Sequence, residues 1–352
     1  LDLDPRGFHW VDASDGDIIG LAGQTIRYRQ PVPKGEKRSA ALKRGRESEI
    51  WGEVIADVGP APNEQVQFTH VCDRGADNFE VYCHCLLQRV DWVVRATHVT
   101  RKVYVAGELL QLQAHLKTRP VAGTYELEVK ANQHQVGRTA TVEVRFGTIG
   151  LPAPHLRGRF TQKCGITFLT MNVVEVKEID PPRGQKPLQW VLYTSHPVTC
   201  WEEALTVIGY YERRPLVEEF HKALKTGCRI EDRLYETAAR WENLTGLLSI
   251  VAVRLLQLKT IATKQPDLPA ASIVPLSWLK MLLALRGSKR KKIVTARDFL
   301  RALAGLGGHL GRKADKEPGW LTIWRGFDKL HLLLRGAAAI ATCASGNTAP
   351  GA

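Results

Sequence analysis

A change of hydrophobic period part-way along the chain limits its fold more than any other feature. From Arg101 to Ser195 apolar and polar residues alternate in short runs: Tyr125-Glu-Leu-Glu-Val129, Thr141-Val-Glu-Val-Arg-Phe146, Val173-Val-Glu-Val-Lys177 and Trp190-Val-Leu-Tyr193. Turn residues at Ala122-Gly123, Phe146-Gly147 and Pro181-Pro-Arg-Gly184 separate them. Side chains that switch faces at every residue make half-buried antiparallel strands. After Thr199 the period becomes helical. Thr199-Cys-Trp-Glu202 has the spacing of a capping box and predicts a helix start there. Helical spacing then runs on through Arg229 to Leu258, recurs near Ala296 to Ala304, and returns in a broad apolar stripe of Trp320, Ile323, Trp324, Phe327, Leu330, Leu333 and Leu334.

Upstream of the alternating segment the elements are mixed. Phe8 to Ala13 and Ile18 to Arg29 read as two strands of a hairpin around Ser14-Asp-Gly-Asp17. Pro31 to Arg46 is basic, with Lys34, Lys37, Arg38, Lys43, Arg44 and Arg46, and reads either as a solvated connector or as a strap facing a polyanion. Glu47 to Val58 predicts a helix that includes Trp51. Val66 to Cys72 predicts a strand, and Ala76 to Val90 a helix through Phe79, Val81, Tyr82, Leu86 and Leu87. Asp73 falls at the strand end beside the helix start, where a carboxylate either caps the helix or holds a metal ion at the rim of a sheet.

The stretch from Tyr210 to Gly227 has two faces. At about 100° per residue, Tyr211, Arg214, Glu218, Lys222 and Lys225 share one side, and Leu216, Val217, Phe220, Ala223 and Leu224 the other. Such a charged stripe is either a solvated helix face or a site. Pro215 has no amide to donate, so it must lie in the first turn of this helix, with Tyr211 in a preceding turn, or kink a longer one.

The net charge of +13 calls for a polyanionic partner. Seven cysteines, an odd number spread from Cys72 to Cys343, read as reduced thiols, and Cys83-His-Cys85 lacks zinc-site spacing. The apolar run Leu244 to Leu258 is short for a bilayer and contains Arg254, so no segment reads as membrane-spanning.

Tyr211, two residues, Arg214, three residues, Glu218, six residues and Lys225 resemble the Y-(2)-R-(3)-E-(6)-K signature of the insertion-sequence-four group of DDE transposases, the cut-and-paste enzymes of bacteria. Lys225-Thr-Gly-Cys-Arg-Ile-Glu231 continues the likeness. Val71-Cys-Asp-Arg-Gly-Ala-Asp77 resembles that family's strand with its second catalytic Asp, and Trp92-Val-Val-Arg-Ala-Thr97 the strand after it. Gly75 departs from the pattern, because many relatives carry Glu there. Pro187-Leu-Gln-Trp-Val-Leu-Tyr-Thr194 resembles the segment whose Trp stacks on a base flipped out at the transposon end.

The resemblance implies an α/β fold: a ribonuclease-H-like catalytic core interrupted by an antiparallel β insertion, with a C-terminal all-helical region. The expected divisions are residues 1–100, 101–195, 196–262 and 263–352. It implies that Asp73 and Glu218 are catalytic carboxylates and ligands of Mg²⁺ or Mn²⁺, close together at the rim of one sheet. Tyr211, Arg214, Lys222, Lys225 and Arg95 are implied DNA contacts. Trp190 is implied to stack on a base, against the alternative of a core tryptophan. The implied partner is double-stranded DNA at transposon ends, bound by a homodimer of a cytoplasmic, nucleoid-associated protein with no membrane role. The terminal helices are implied to dimerise, against the alternative of packing on their own chain.

Relatives carry a first catalytic Asp on a strand upstream of the one that contains Arg6-Gly-Phe-His-Trp10. Asp2 and Asp4 lie too near Arg6 for a separate strand, and Asp12, Asp15 and Asp17 belong to the hairpin. The expectation is therefore a truncated transposase, inactive alone. A silent DNA-binding and dimerisation remnant and a basic RNA-binding protein stand as alternatives.

Overall fold

The structure, a computed structural model, describes residues 3–28, 35, 37, 49–129, 137–155, 158–233, 235–286, 292–312 and 315–346. The basic segments at 31–46 and 286–292 lie for the most part outside these. Two compact units are present: Leu1–Arg6 with Thr25–Pro215, and Gly7–Gln24 with Leu216–Ala352. The hairpin strands β1 (Leu3–Val11) and β2 (Ile18–Tyr28) form their own two-stranded sheet, as the Ser14–Asp17 turn chemistry predicts.

In the first unit, α1 (Ile50–Val58) is followed by β3 (Thr69–Cys72), a 3₁₀ turn (Arg74–Ala76), α2 (Phe79–Gln88) and β4 (Asp91–Arg95). β3 and β4 are parallel, with Val71 opposite Val93. Trp92, Val93 and Val94 are all buried, so this strand reads as a continuous apolar run rather than an alternating one. The strand and helix flanking Asp73 are shorter than expected. Asn78, in extended conformation, accepts a hydrogen bond from the Val81 amide and starts α2 at Phe79, leaving residues 74–76 to the tighter turn.

The alternating segment supplies β5 (Lys102–Val105), β6 (Glu108–Gln111), β7 (Gly123–Val129), β8 (Arg138–Pro152), β9 (Phe168–Glu178) and β10 (Gln189–Thr194), with α3 (Leu112–Thr118) and α4 (Arg159–Cys164) between them. These strands do not form a sheet of their own. β10 pairs antiparallel with β4, Leu192 opposite Arg95, and extends the parallel pair into one eight-stranded mixed sheet in the order β3-β4-β10-β9-β8-β5-β6, with β7 on β8. α5 (Trp201–Glu212) packs over its middle through Ala204, Val207, Ile208 and Tyr211 against Val144, Val174, Val176 and Leu192.

The cap of α5 differs from the expected box. Cys200 is the N-cap, and Thr199 donates from both its amide and its hydroxyl to Glu203, at 2.6 and 2.8 Å. Glu203 therefore takes the place expected of Glu202, because the helix begins one residue later than the box requires.

The single amphipathic helix expected around Glu218 is three pieces. A proline ring excludes the carbonyl four residues back from its helical bond, and here the Tyr211 carbonyl accepts instead from the Arg214 amide at 3.0 Å. Tyr211 thus lies in the last turn of α5, α6 (Pro215–Lys222) begins at the proline, and Lys225 lies in a π-type turn (Ala223–Gly227). The five-residue wheel does not hold as one stripe. Its apolar half does hold, since Phe220, Ala223 and Leu224 are buried.

The second unit is helical: α7 (Ala238–Lys264), α8 (Ala270–Ile273), α9 (Leu276–Arg286), α10 (Ala296–Leu306), capped by a Thr295–Asp298 box, and α11 (Trp320–Gly346). α7 is longer than its apolar run suggests, and by length and composition alone it could cross a bilayer. Its Leu248, Ala252, Leu255, Leu256 and Leu258 are instead buried with Phe299, Leu303, Ile323 and Leu330 in one core, and Arg254 donates to the Ile273 carbonyl. Trp320, Ile323 and Leu330 of the terminal stripe are buried in this core, Trp324, Phe327 and Leu334 pack against it, and Leu333 is exposed.

α10 and α11 meet backbone to backbone. A Cβ at Gly326 would lie 1.8 Å from the Leu303 carbonyl oxygen, and one at Gly307 1.9 Å from that of Thr322. Gly326→Ala should therefore destabilise the second unit by about 1–3 kcal/mol in chemical denaturation. Gly336→Ala on the same helix, with nothing within 4 Å, should be neutral or stabilising. Equal midpoints for the two variants would refute so close an approach.

Candidate functional site

Asp73 leaves β3 in extended conformation and caps the 3₁₀ turn, its Oδ1 accepting from the Gly75 amide at 2.8 Å. The capping role considered for this residue is thus real, but it serves the short turn and not α2. Its Oδ2 accepts from Arg214 Nη2 at 2.8 Å, in an ion pair that leaves about a third of the Asp73 side chain exposed. A Cβ at position 75 would sit 3.1 Å from Asp73 Oδ1 and 3.3 Å from Trp51 Nε1, so the glycine departure keeps this corner open. Two residues 141 positions apart, drawn from separate motifs, meet here.

A buried carboxylate that the sequence reading did not single out holds this loop in place. Asp77 has no side-chain exposure. Its Oδ1 accepts from Arg101 Nη1 at 2.6 Å and from the Tyr82 hydroxyl at 3.0 Å, and its Oδ2 from the Thr97 amide at 2.7 Å. The Thr97 hydroxyl returns a bond to the Arg74 carbonyl. Residues 74–77 are thereby tied to the segment beyond β4, and Arg101 lies over the Tyr193 ring. Burial, then the Asp77 charge, raises the Tyr82 hydroxyl well above its ordinary pKa and keeps it a donor. Burial works against the Arg101 charge, but Asp77 together with Tyr193 and Tyr82 outweighs it, and the Arg101 pKa is raised.

Arg95 closes β4 by donating to the Gln189 carbonyl at 2.9 Å. Trp190 is half-buried beside Leu192 and Val176, and its ring meets that of Tyr211 at 5.1 Å and 66°. Tyr211, expected on a charged stripe, is buried at 5% exposure.

In the second unit, Glu218 is exposed in the first turn of α6. Lys222 pairs with Glu219 at 2.8 Å, which raises its pKa, and Lys225 pairs with Glu231 at 2.8 Å. Both lysines are about half exposed, so solvent screening leaves these pairs weak and readily exchanged. Glu219 also accepts from Trp320 Nε1, and Lys259 lies over the Trp320 ring at 4.1 Å.

Among the described residues, no group of three or more His, Cys, Asp or Glu could hold a metal ion. Asp73 spends its oxygens on an amide and a guanidinium. The described side chains around it therefore do not by themselves fit a divalent ion. All seven cysteines are free, and the ring of His84 in Cys83-His-Cys85 stacks on Phe160 at 3.6 Å.

Residues 250–346 match the family model described as the Tn5 transposase dimerisation domain. The match points to a transposase. It takes in the later part of α7 and all of α8 to α11, whose shared core is described above. It stops short of the signature residues and of Asp73, so their placement is evidence separate from the match.

Removing the buried anchor should be costly. Asp77→Ala leaves Arg101 and Tyr82 without their acceptor and should lose about 3–5 kcal/mol of stability. Asp77→Asn, which keeps one acceptor oxygen, should lose less. A loss below about 1 kcal/mol for Asp77→Ala in urea titration would show that the loop is held some other way.

Proposed function

We propose that this chain is a DDE-type transposase acting on transposon-end DNA, its reaction class phosphodiester hydrolysis and strand transfer within a ribonuclease-H-like core. One observation carries the reading beyond the dimerisation-domain match: the strand-end carboxylate Asp73 and the signature residue Arg214 are in contact at 2.8 Å.

In this reading Arg95, Arg214, Lys222 and Lys225 neutralise backbone phosphates, and Trp190 stacks on an unpaired base near the end of the duplex. Asp73 and Glu218 are the catalytic carboxylates. The family's Mg²⁺ or Mn²⁺ calls for a fuller ligand set than the described residues form, so the reading here rests on DNA binding and not on a metal-dependent step. The dimerisation-domain match supports a homodimer, and residues 335–343 of α11, which are exposed and include Ile340 at 73%, are available to a second copy.

Phosphate-dominated binding has a measurable signature. Fluorescence anisotropy with a frayed-end DNA duplex should give a steep linear fall of log K with log[salt]. Lys222→Ala and Lys225→Ala should each flatten the slope by up to about one unit. Salt-independent binding, or equal affinity for an RNA hairpin of the same charge, would contradict the proposal.

A further inference from the structure

Tyr211 is the residue whose surroundings fit its implied role least. Nearly all of Tyr211 is committed to the core of the first unit, between α5 and the sheet, so its ring is a packing group whatever its hydroxyl meets. What its ring does touch is Trp190, at 5.1 Å between centroids and 66° between planes, an edge-to-face arrangement favoured by the ring quadrupoles. Trp190 enters from β10, opposite Val176 of β9, and shares its face with the fully buried Leu192. The indole is thus packed on its inner side and partly exposed. A half-exposed indole swings about two side-chain torsions unless something stops it. The element that meets it is the last turn of α5, held where it is by the break at Pro215.

We propose that Tyr211 is a positioning residue: its buried ring sets the angle of the Trp190 indole, so that the open part of the indole is ready to stack on an unpaired base. The ring carries this role and the hydroxyl does not. The inference rests on the reading of Trp190 as the base-stacking residue.

The full chain is titrated onto a duplex with an unpaired 2-aminopurine at one end, following both quenching of that base and the salt slope of binding. Trp190→Ala should abolish the quenching. Tyr211→Leu should lose most of the quenching and bind about two- to tenfold more weakly, with the salt slope unchanged. Tyr211→Phe, which restores the ring without the hydroxyl, should recover quenching and affinity. Full quenching by Tyr211→Leu would overturn the inference, because the indole would need no brace. A Tyr211→Phe variant with a flattened salt slope would overturn it too, in favour of a hydroxyl-phosphate contact. Full quenching by Trp190→Ala would remove the stacking reading itself and this inference with it, an outcome the Tyr211 variants do not mimic. Thermal melts check folding. Should Tyr211→Leu not fold, Tyr211→Phe decides alone, since it deletes one oxygen: unchanged values support the brace and a flattened slope overturns it.

Discussion

A carboxylate fully removed from water must have its oxygens answered, and much of the first unit's geometry follows from how Asp77 meets that demand. Its partners come from α2 (Tyr82), from the segment after β4 (Thr97) and from the approach to β5 (Arg101), so a single side chain joins three parts of the chain. An uncompensated charge there would cost several kcal/mol, whereas the guanidinium and two neutral donors make burial tolerable. The consequence for function is positional. With residues 74–77 tied down at one end and β3 paired to β4 at the other, Asp73 has little freedom except to point its carboxylate outward, where Arg214 finds it.

The second unit relies on a different constraint, close helix packing without side chains in the way. Gly307 and Gly326 let the backbones of α10 and α11 touch, which brings Ile323 and Leu330 into the core with Phe299 and Leu303. Glu219 adds a polar tie, linking α6 to Trp320 of α11 and, through Lys259, to α7. Partial burial lowers the Lys259 pKa despite that carboxylate. α11 therefore starts as a core helix and ends with residues 335–343 exposed, two behaviours that a single apolar stripe does not distinguish.

Much of this was legible in the sequence because it depends on local period. The alternating runs became β7 to β10. What was not legible depends on non-local partners. Nothing local tells Asp77 from the other acidic residues near it, since its importance comes from Arg101 and Thr97. The wheel through Tyr211 and Lys225 failed because it ran through Pro215, whose missing amide splits the helix. The apolar run in α7 understated its length because flanking polar residues such as Glu242 and Lys259 extend the same helix. Period alone could not decide whether Trp190 belonged to the core or to a site. The structure makes it half of each, packed on Tyr211 and still partly open.

The central claim is that Trp190 of the first unit meets DNA near an unpaired end. Photocrosslinking tests it directly: a duplex with 5-iodouracil at the unpaired position is irradiated with the full chain, and the adduct is mapped by peptide mass spectrometry. The account predicts a principal adduct in the β10 peptide containing Trp190, competed away by unlabelled duplex. Adducts confined to peptides remote from β10 and the Arg214 turn, or none above the level of a scrambled basic peptide, would contradict it.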